Sequence, residues 1–185
     1  MTALIAFTRF KTKGYTMYAS ILAIATAVPP HAFAQDEIAE KVIGIFSLDP
    51  LKAKSIRQLY KNSAIGTRYT VVPDFKNDRT SWHFWGPEYP KKIPGTAQRN
   101  IVYKTEAPKL AFEAASKALN AWGGDPEKIT HVVSVSCTGV VAPGIEFDLI
   151  RLLGLRPDTQ RLGINFMGCF GAFKGLARSE ERRVG

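Results

Sequence analysis

Cysteine is scarce in this chain. Cys137 and Cys169 are the only two in 185 residues, too few for a disulfide scaffold, and no further thiol joins them in a zinc pattern. Such usage fits a reducing compartment. Histidine is nearly as rare: His31, His83 and His131 are the three, and their positions do not form a metal site. Beyond the first 35 residues no stretch is long and apolar enough to span a membrane. No block of Lys and Arg and no RNA-binding signature stands out, which argues against a nucleic-acid function. Acidic residues are also short, with 16 Asp and Glu against 25 Lys and Arg, giving a formal net charge of +9. That excess suits an anionic partner: nucleic acid, an anionic membrane surface or a phosphate-bearing small molecule. What remains is the composition of an ordinary globular protein, 45% hydrophobic and 22% charged, long enough for a real core.

The N-terminal segment admits two readings. Arg9, Lys11 and Lys13 precede an apolar run from Tyr15 to Val28, followed by Ala32-Phe33-Ala34. A basic region, a short apolar core and an A-x-A site together describe a secretory signal peptide, which would make the rest a secreted, non-catalytic module beginning at Gln35. The competing reading is a buried first strand, Ala19 to Ala27, ending at the Pro29-Pro30 turn. Met17 offers a second start, with residues 1–16 then an extension or a misplaced start.

Further along, the periodicity predicts alternating helices and strands. Gln35 to Phe46 reads as a helix with Ile38, Val42, Ile43 and Phe46 on one face, and a second helix runs from Pro50 to Asn62. On the second, Lys54, Arg57 and Lys61 recur at i, i+3 and i+7, so three cations share one face. Such a stripe is either solvated surface or an electrostatic clamp on phosphates. Arg68 to Val72 reads as a strand. Residues 73–95 show no periodicity and hold an aromatic knot, Trp82-His83-Phe84-Trp85. The knot belongs either to a functional loop or to a satellite core, and His83 reads as a packing or surface residue, not a base. A helical region covers Thr96 to Trp122, with Pro108 marking a kink or a fresh start. Its Ala111, Ala114, Ala115, Ala118 and Leu119 form a small-residue face. Strand Ile129–Ser136, loop Cys137–Gly144, helix Ile145–Leu155 and strand Gln160–Phe166 then give a βαβα order, which implies parallel strands. Ligands collect at the carboxyl ends of such strands, where both cysteines fall.

The chain is organised around the stretch Arg161 to Leu176. Leu162 to Phe166 is a short apolar run suited to a buried strand. Gly168 and Gly171 bracket Cys169, and Phe170, Ala172, Phe173, Leu176 and Ala177 fit a helix buried on most sides. Strand, glycine-flanked turn, nucleophile and helix follow the logic of a nucleophile elbow, with sulfur in place of oxygen. A thiol at the first turn of a helix faces unpaired N–H groups and the positive dipole end, which favour thiolate. The plainer alternative for Cys169 is a small buried hydrophobe.

Several separated segments, taken in order, resemble the type III polyketide synthases, the chalcone and stilbene synthase-like enzymes. They are Ala27-Val28-Pro29-Pro30-His31, Ser63-Ala-Ile-Gly-Thr-Arg-Tyr69, Ile129-Thr130-His131 with its strand, Thr138-Gly139-Val-Val-Ala-Pro143-Gly144, Leu152-Leu153-Gly154-Leu155 and Gly168-Cys169-Phe170-Gly171. They span most of Met17 to Ala177 and favour the strand reading of Ala19 to Ala27. The resemblance implies an α/β, thiolase-like fold, of which this chain is the N-terminal half. It implies that Cys169 takes a starter acyl group from coenzyme A as a thioester, and that decarboxylated malonyl-CoA attacks it in repeated Claisen condensations. It further implies that Lys54, Arg57 and Lys61 bind the CoA phosphates and that Cys137 and Thr138 line the substrate pocket. Ala142 matches a position that reaches into the neighbouring subunit's cavity in a homodimer. Acyl-CoA and malonyl-CoA are then the partners. No resident cofactor, metal, nucleic acid or membrane is expected, and the compartment is the cytoplasm. A ketoacyl-synthase or HMG-CoA-synthase relative is the runner-up on the same fold.

The departures from the family pattern lie at the end. The family's mechanism uses a His and an Asn far downstream of the cysteine, and neither residue type follows Cys169 here. Arg178 to Gly185 is abruptly polar and reads as a truncated or foreign end. The expectation is that this chain alone lacks polyketide synthesis.

Overall fold

The computed structural model describes residues 2–8 and 20–181, with side chains described for 20–178. Arg9, Lys11, Lys13 and Met17, and the residues beyond 181, lie outside the described residues. The chain divides into two compact units: Val28–Thr96, and the residues up to Ala27 together with those from Ala97 onward.

Val28–Thr96 opens with strand β3, His31–Ala34, which runs directly into helix α1, Gln35–Ile45. The Ala-x-Ala of the signal-peptide reading is therefore a strand, and Phe33 is buried. Helix α2, Pro50–Asn62, begins where the sequence predicts, because Asp49 accepts the Lys52 N–H at 2.9 Å and Pro50 occupies the first turn. Strand β4, Thr67–Thr70, pairs antiparallel with β3, placing His31 opposite Thr70 and Ala34 opposite Thr67. It lies earlier than the expected Arg68–Val72, since the Thr70 hydroxyl accepts the Val72 N–H at 3.0 Å and turns the chain out of the ladder. Buried Gln35 ties these pieces together: its amide donates to Ser63 Oγ at 2.7 Å, and its Oε1 accepts from Arg68 Nε at 2.7 Å.

The aperiodic segment that follows is a satellite core. Phe75 meets Phe33 and Trp82 edge-on at 6.4 and 5.1 Å and stacks on Trp85 at 6.1 Å, while Tyr89 packs on Trp85 at 4.8 Å. Asp74, almost wholly buried, accepts the backbone N–H groups of His83, Phe84 and Trp85 at 3.3, 2.9 and 2.7 Å. One carboxylate, at the start of a 3-10 turn over Asp74–Lys76, thus supplies the acceptors that the irregular residues 83–85 otherwise lack. His83 itself is exposed.

In the other unit, strand β1, Thr2–Thr8, pairs antiparallel with β2, Ser20–Ala27. Helix α3, Thr96–Trp122, is continuous through Pro108. Pro108 removes one helical hydrogen bond, but the alanine face continues past it. Ala111, Ala114, Ala115 and Ala118 are buried, and Ala111 and Ala115 pack in a core with Val132, Ile145, Leu149 and Leu155.

Strands β5, His131–Ser136, and β6, Gln160–Asn165, pair in parallel with His131 opposite Gln160 and Ser136 opposite Asn165. Helix α4, Ile145–Leu152, connects them, and α5, Gly171–Glu181, follows β6. Alternation along the strands assigns each helix a face. On β5, Ser134 bonds Glu146 of α4 at 2.8 Å and Val132 joins the core with Ile145 and Leu149. Val133 and Val135 point the other way, onto Gly175 and Gly171 of α5. The strand pair is thus covered on both faces, as parallel strands require. Helix α4 ends earlier than the expected Leu155 in a Schellman turn: Gly154 has φ +63°, and the Leu155 N–H reaches the Ile150 carbonyl at 3.0 Å. Among the described residues no helix is long and apolar enough to cross a membrane.

Candidate active site

Both cysteines lie at the carboxyl end of the β5–β6 pair. The ladder extends one residue past its last strand partners, with the Phe166 N–H bonded to the Ser136 carbonyl at 2.9 Å. The chain then turns sharply. Phe166 has φ +58° and Gly168 φ +62°, and a 3-10 turn over Gly168–Phe170 delivers the chain into α5. A left-handed backbone at a bulky residue such as Phe166 costs about 1–3 kcal/mol and persists only where its surroundings impose it. Here the last ladder bond fixes one side of the bend and α5 the other.

Cys169 stands inside that turn, exposed and with a free thiol. The two glycines that bracket it do different work. Gly168 provides the positive φ. Gly171 is helical, with φ −55°, and provides space: a Cβ there would lie 2.8 Å from Val135 Cγ1. Gly175, one turn on, would carry a Cβ 3.3 Å from Val135 Cγ2. Gly171 and Gly175 therefore let α5 approach the strands closely enough to begin immediately after the cysteine.

The remainder of α5 corrects the sequence reading. Phe170 and Phe173 are 56% and 66% exposed, Ala172 and Ala177 are exposed, and Leu176 is only half-buried. The helix is covered along Gly171 and Gly175, and its other apolar side is open. The strand reading is corrected likewise: Leu162 and Ile164 are half-buried, whereas Phe166 is 65% exposed. Lys174 Nζ lies over the Phe170 ring, 5.3 Å from its centroid.

The loop from β5 to α4 carries Cys137, Thr138 and Ala142, all exposed. It is held from below. The Ser136 hydroxyl donates to the Gly139 carbonyl at 3.2 Å, and the Val140 N–H reaches Asn100 of α3 at 3.4 Å. Gly139 is buried against Tyr103, whose ring would lie 2.4 Å from an added Cβ. The loop backbone is fixed while its three named side chains stay accessible. The Ser136–Asn165 register and the Phe166 bond bring this loop and the cysteine turn to the same sheet end.

Lys54, Arg57 and Lys61 belong to the other unit, all exposed on α2. The sequence reading missed a partner. Glu40 of α1 accepts from Arg57 Nε at 2.6 Å and from Nη2 at 2.8 Å. That hydrogen-bonded pairing lowers the Glu40 pKa below its ordinary value and raises that of Arg57. Lys54 and Lys61 have no ion-pair partner among the described residues. The signal for Glu40 was weak, because 17 residues separate the pair and only the packing of α1 on α2 joins them.

Comparison with known proteins matches residues 8–181 to the N-terminal domain of chalcone and stilbene synthases. The chain belongs to the chalcone and stilbene synthase family. Two relatives illustrate the match, each aligned over 90% of this chain at 30% identity: acylalkylpyrone synthase csyB of Aspergillus oryzae and type III polyketide synthase C of Arabidopsis thaliana. The chain spans 39% and 42% of their respective lengths. Among solved structures, PKS-I of the brown alga Ectocarpus siliculosus superposes with TM-score 0.76 at 30% identity, over 92% of this chain and 45% of that one. CsyB complexed with CoA-SH superposes with TM-score 0.65 at 27% identity, over 86% and 40%. The expected thiolase-like α/β fold, N-terminal portion, is the fold of these chalcone and stilbene synthase relatives.

Proposed function

We propose that this chain carries the acyl-capture step of a polyketide synthase that condenses a starter acyl-CoA with malonyl-CoA units. The observation that carries this reading is the exposed Cys169 thiol, presented by a strained turn at the carboxyl end of parallel strands in a member of this family.

In the proposed step, Cys169 Sγ, as thiolate, attacks the thioester carbonyl of the starter. The tetrahedral adduct collapses with cleavage of the acyl–sulfur bond to coenzyme A. The acyl group stays on Cys169, and CoA leaves as its thiol with the proton that Cys169 gave up. A thioester suits this role because its carbonyl remains electrophilic. Lys54, Arg57 and Lys61 are assigned to the CoA phosphates, in keeping with CoA-SH bound to CsyB and with the excess positive charge of the chain. Cys137, Thr138 and Ala142 are assigned to the pocket wall, Ala142 toward a second subunit of a homodimer. CoA thioesters enter as substrates, and the step uses no resident cofactor. The cytoplasm is the proposed compartment.

Extension is a separate matter. Malonyl-CoA must lose carbon dioxide, and the enolate so formed needs hydrogen-bond donors aimed at its oxygen. This chain spans 39% and 42% of the two relatives named above, and extension is assigned to a protein of their full length. The test is incubation of the chain with an acyl-CoA and malonyl-CoA, followed by intact mass and product analysis. One acyl group per chain with stoichiometric CoA release and no triketide or tetraketide is expected. Polyketide products from this chain would overturn the division of labour, and absence of any acyl adduct would overturn the capture step.

A further inference from the structure

The pair between Glu40 and Arg57 has a geometry that bears on the cation stripe. The carboxylate meets the guanidinium fork on fork, at 2.6 and 2.8 Å, with both side chains about half exposed. An exposed ion pair adds little to stability, so its main consequence is orientation. A guanidinium has five N–H donors in one plane. The fork uses the Nε hydrogen and one hydrogen of Nη2, leaving the second Nη2 hydrogen and both Nη1 hydrogens. Lys54 and Lys61 stand one helical turn to either side of Arg57.

We propose that Glu40 is a positioning residue that fixes the guanidinium plane of Arg57, so that its three remaining N–H groups meet the phosphates of coenzyme A together with Lys54 and Lys61. This rests on the assignment of the stripe to CoA phosphates made above. A planar fork held in place loses less freedom when phosphate binds than a free arginine does. Simple charge counting points the other way. The carboxylate lowers the local charge from +3 to +2, so a Glu40 that merely competed for Arg57 would weaken CoA binding.

The two accounts differ in sign, and calorimetric titration of the chain with CoA and with pantetheine, which lacks the nucleotide phosphates, separates them. Glu40→Gln is expected to weaken CoA binding about three- to tenfold, to leave pantetheine binding unmoved, and to be partly rescued by Glu40→Asp. In an Arg57→Ala background Glu40→Gln is expected to have no further effect, as coupling through Arg57 requires. Equal or tighter CoA binding by Glu40→Gln, or an undiminished loss in the Arg57→Ala background, overturns the positioning role. A weakened Lys54→Ala/Lys61→Ala variant in that case leaves the stripe assignment standing. If neither Arg57→Ala nor Lys54→Ala/Lys61→Ala alters CoA binding, the stripe assignment and the role of Glu40 fall together.

Discussion

Around Asp74, aromatic residues close on one another, whereas around Cys169 they stand open to solvent. Phe33, Phe75, Trp82, Trp85 and Tyr89 form ring contacts in a segment with almost no regular structure, held by three N–H bonds to one buried carboxylate. Phe166, Met167, Phe170 and Phe173 follow regular strand and helix, yet are 65%, 45%, 56% and 66% exposed. Regularity of backbone and burial of side chains are thus separate properties here. The first region satisfies its polar groups locally and needs nothing else. The second uses its glycines to bring α5 to the strands and leaves these four apolar side chains exposed in the residues flanking the free Cys169 thiol. Exposed apolar groups clustered in this way mark a surface for another protein or a ligand, or one prone to self-association.

The contrast can be broken at either end. Asp74→Ala removes the acceptor for three partly buried N–H groups at once and is expected to cost about 3 kcal/mol, read as a lowered denaturant midpoint. A loss below about 0.5 kcal/mol, ordinary for a surface change, would show that the aromatic rings hold the loop without it. Gly171→Ala places a methyl 2.8 Å from Val135 Cγ1 and is expected to cost about 1–3 kcal/mol by overpacking. It should also slow acylation of Cys169, because α5 must shift outward; an unchanged rate would separate the cysteine turn from helix packing. Phe170→Ser with Phe173→Ser is expected to change folding stability by less than about 0.5 kcal/mol while reducing self-association in sedimentation velocity. A large loss of stability would mean that these rings are buried in solution.

The smallest effect concerns Glu40. Its hydrogen bond from Arg57 lowers its pKa in the folded protein, so the stabilisation is present above the ordinary carboxylate value of 4.5 and is lost as pH falls through the depressed folded value. Wild type and Glu40→Gln should therefore differ slightly in melting temperature at neutral pH and converge in acid. A difference that grew on acidification would contradict the pairing.

Much of the fold was legible because periodicity reports local burial directly. Helix α2, the span of α3, the alanine face and the parallel order of β5 and β6 followed from apolar spacing and capping residues. Strand β3 was hidden because Ala32-Phe33-Ala34 is too short to show alternation and also resembles a cleavage site. The early end of α4 depends on Gly154 at positive φ, and the sequence permits that conformation without requiring it. At the candidate site, the elbow was legible from Gly168, Cys169 and Gly171, but not the separate work of the two glycines, since only the approach of Val135 distinguishes space from turn. Burial of Phe170 and Phe173 was misread for a physical reason. Hydrophobicity states that a residue favours cover, not that the cover lies within the same 185 residues. Asp74 and Glu40 escaped because their partners are distant in sequence and joined only by packing.

The measurement that bears most directly on the central claim is peptide mapping after incubation with a radiolabelled acyl-CoA, comparing wild type, Cys169→Ala and Cys137→Ala. Label is expected on the peptide containing Cys169 in wild type and Cys137→Ala, and on no peptide of Cys169→Ala. Label retained in Cys169→Ala, or carried by Cys137 in wild type, would contradict the assignment of Cys169 as the acyl acceptor.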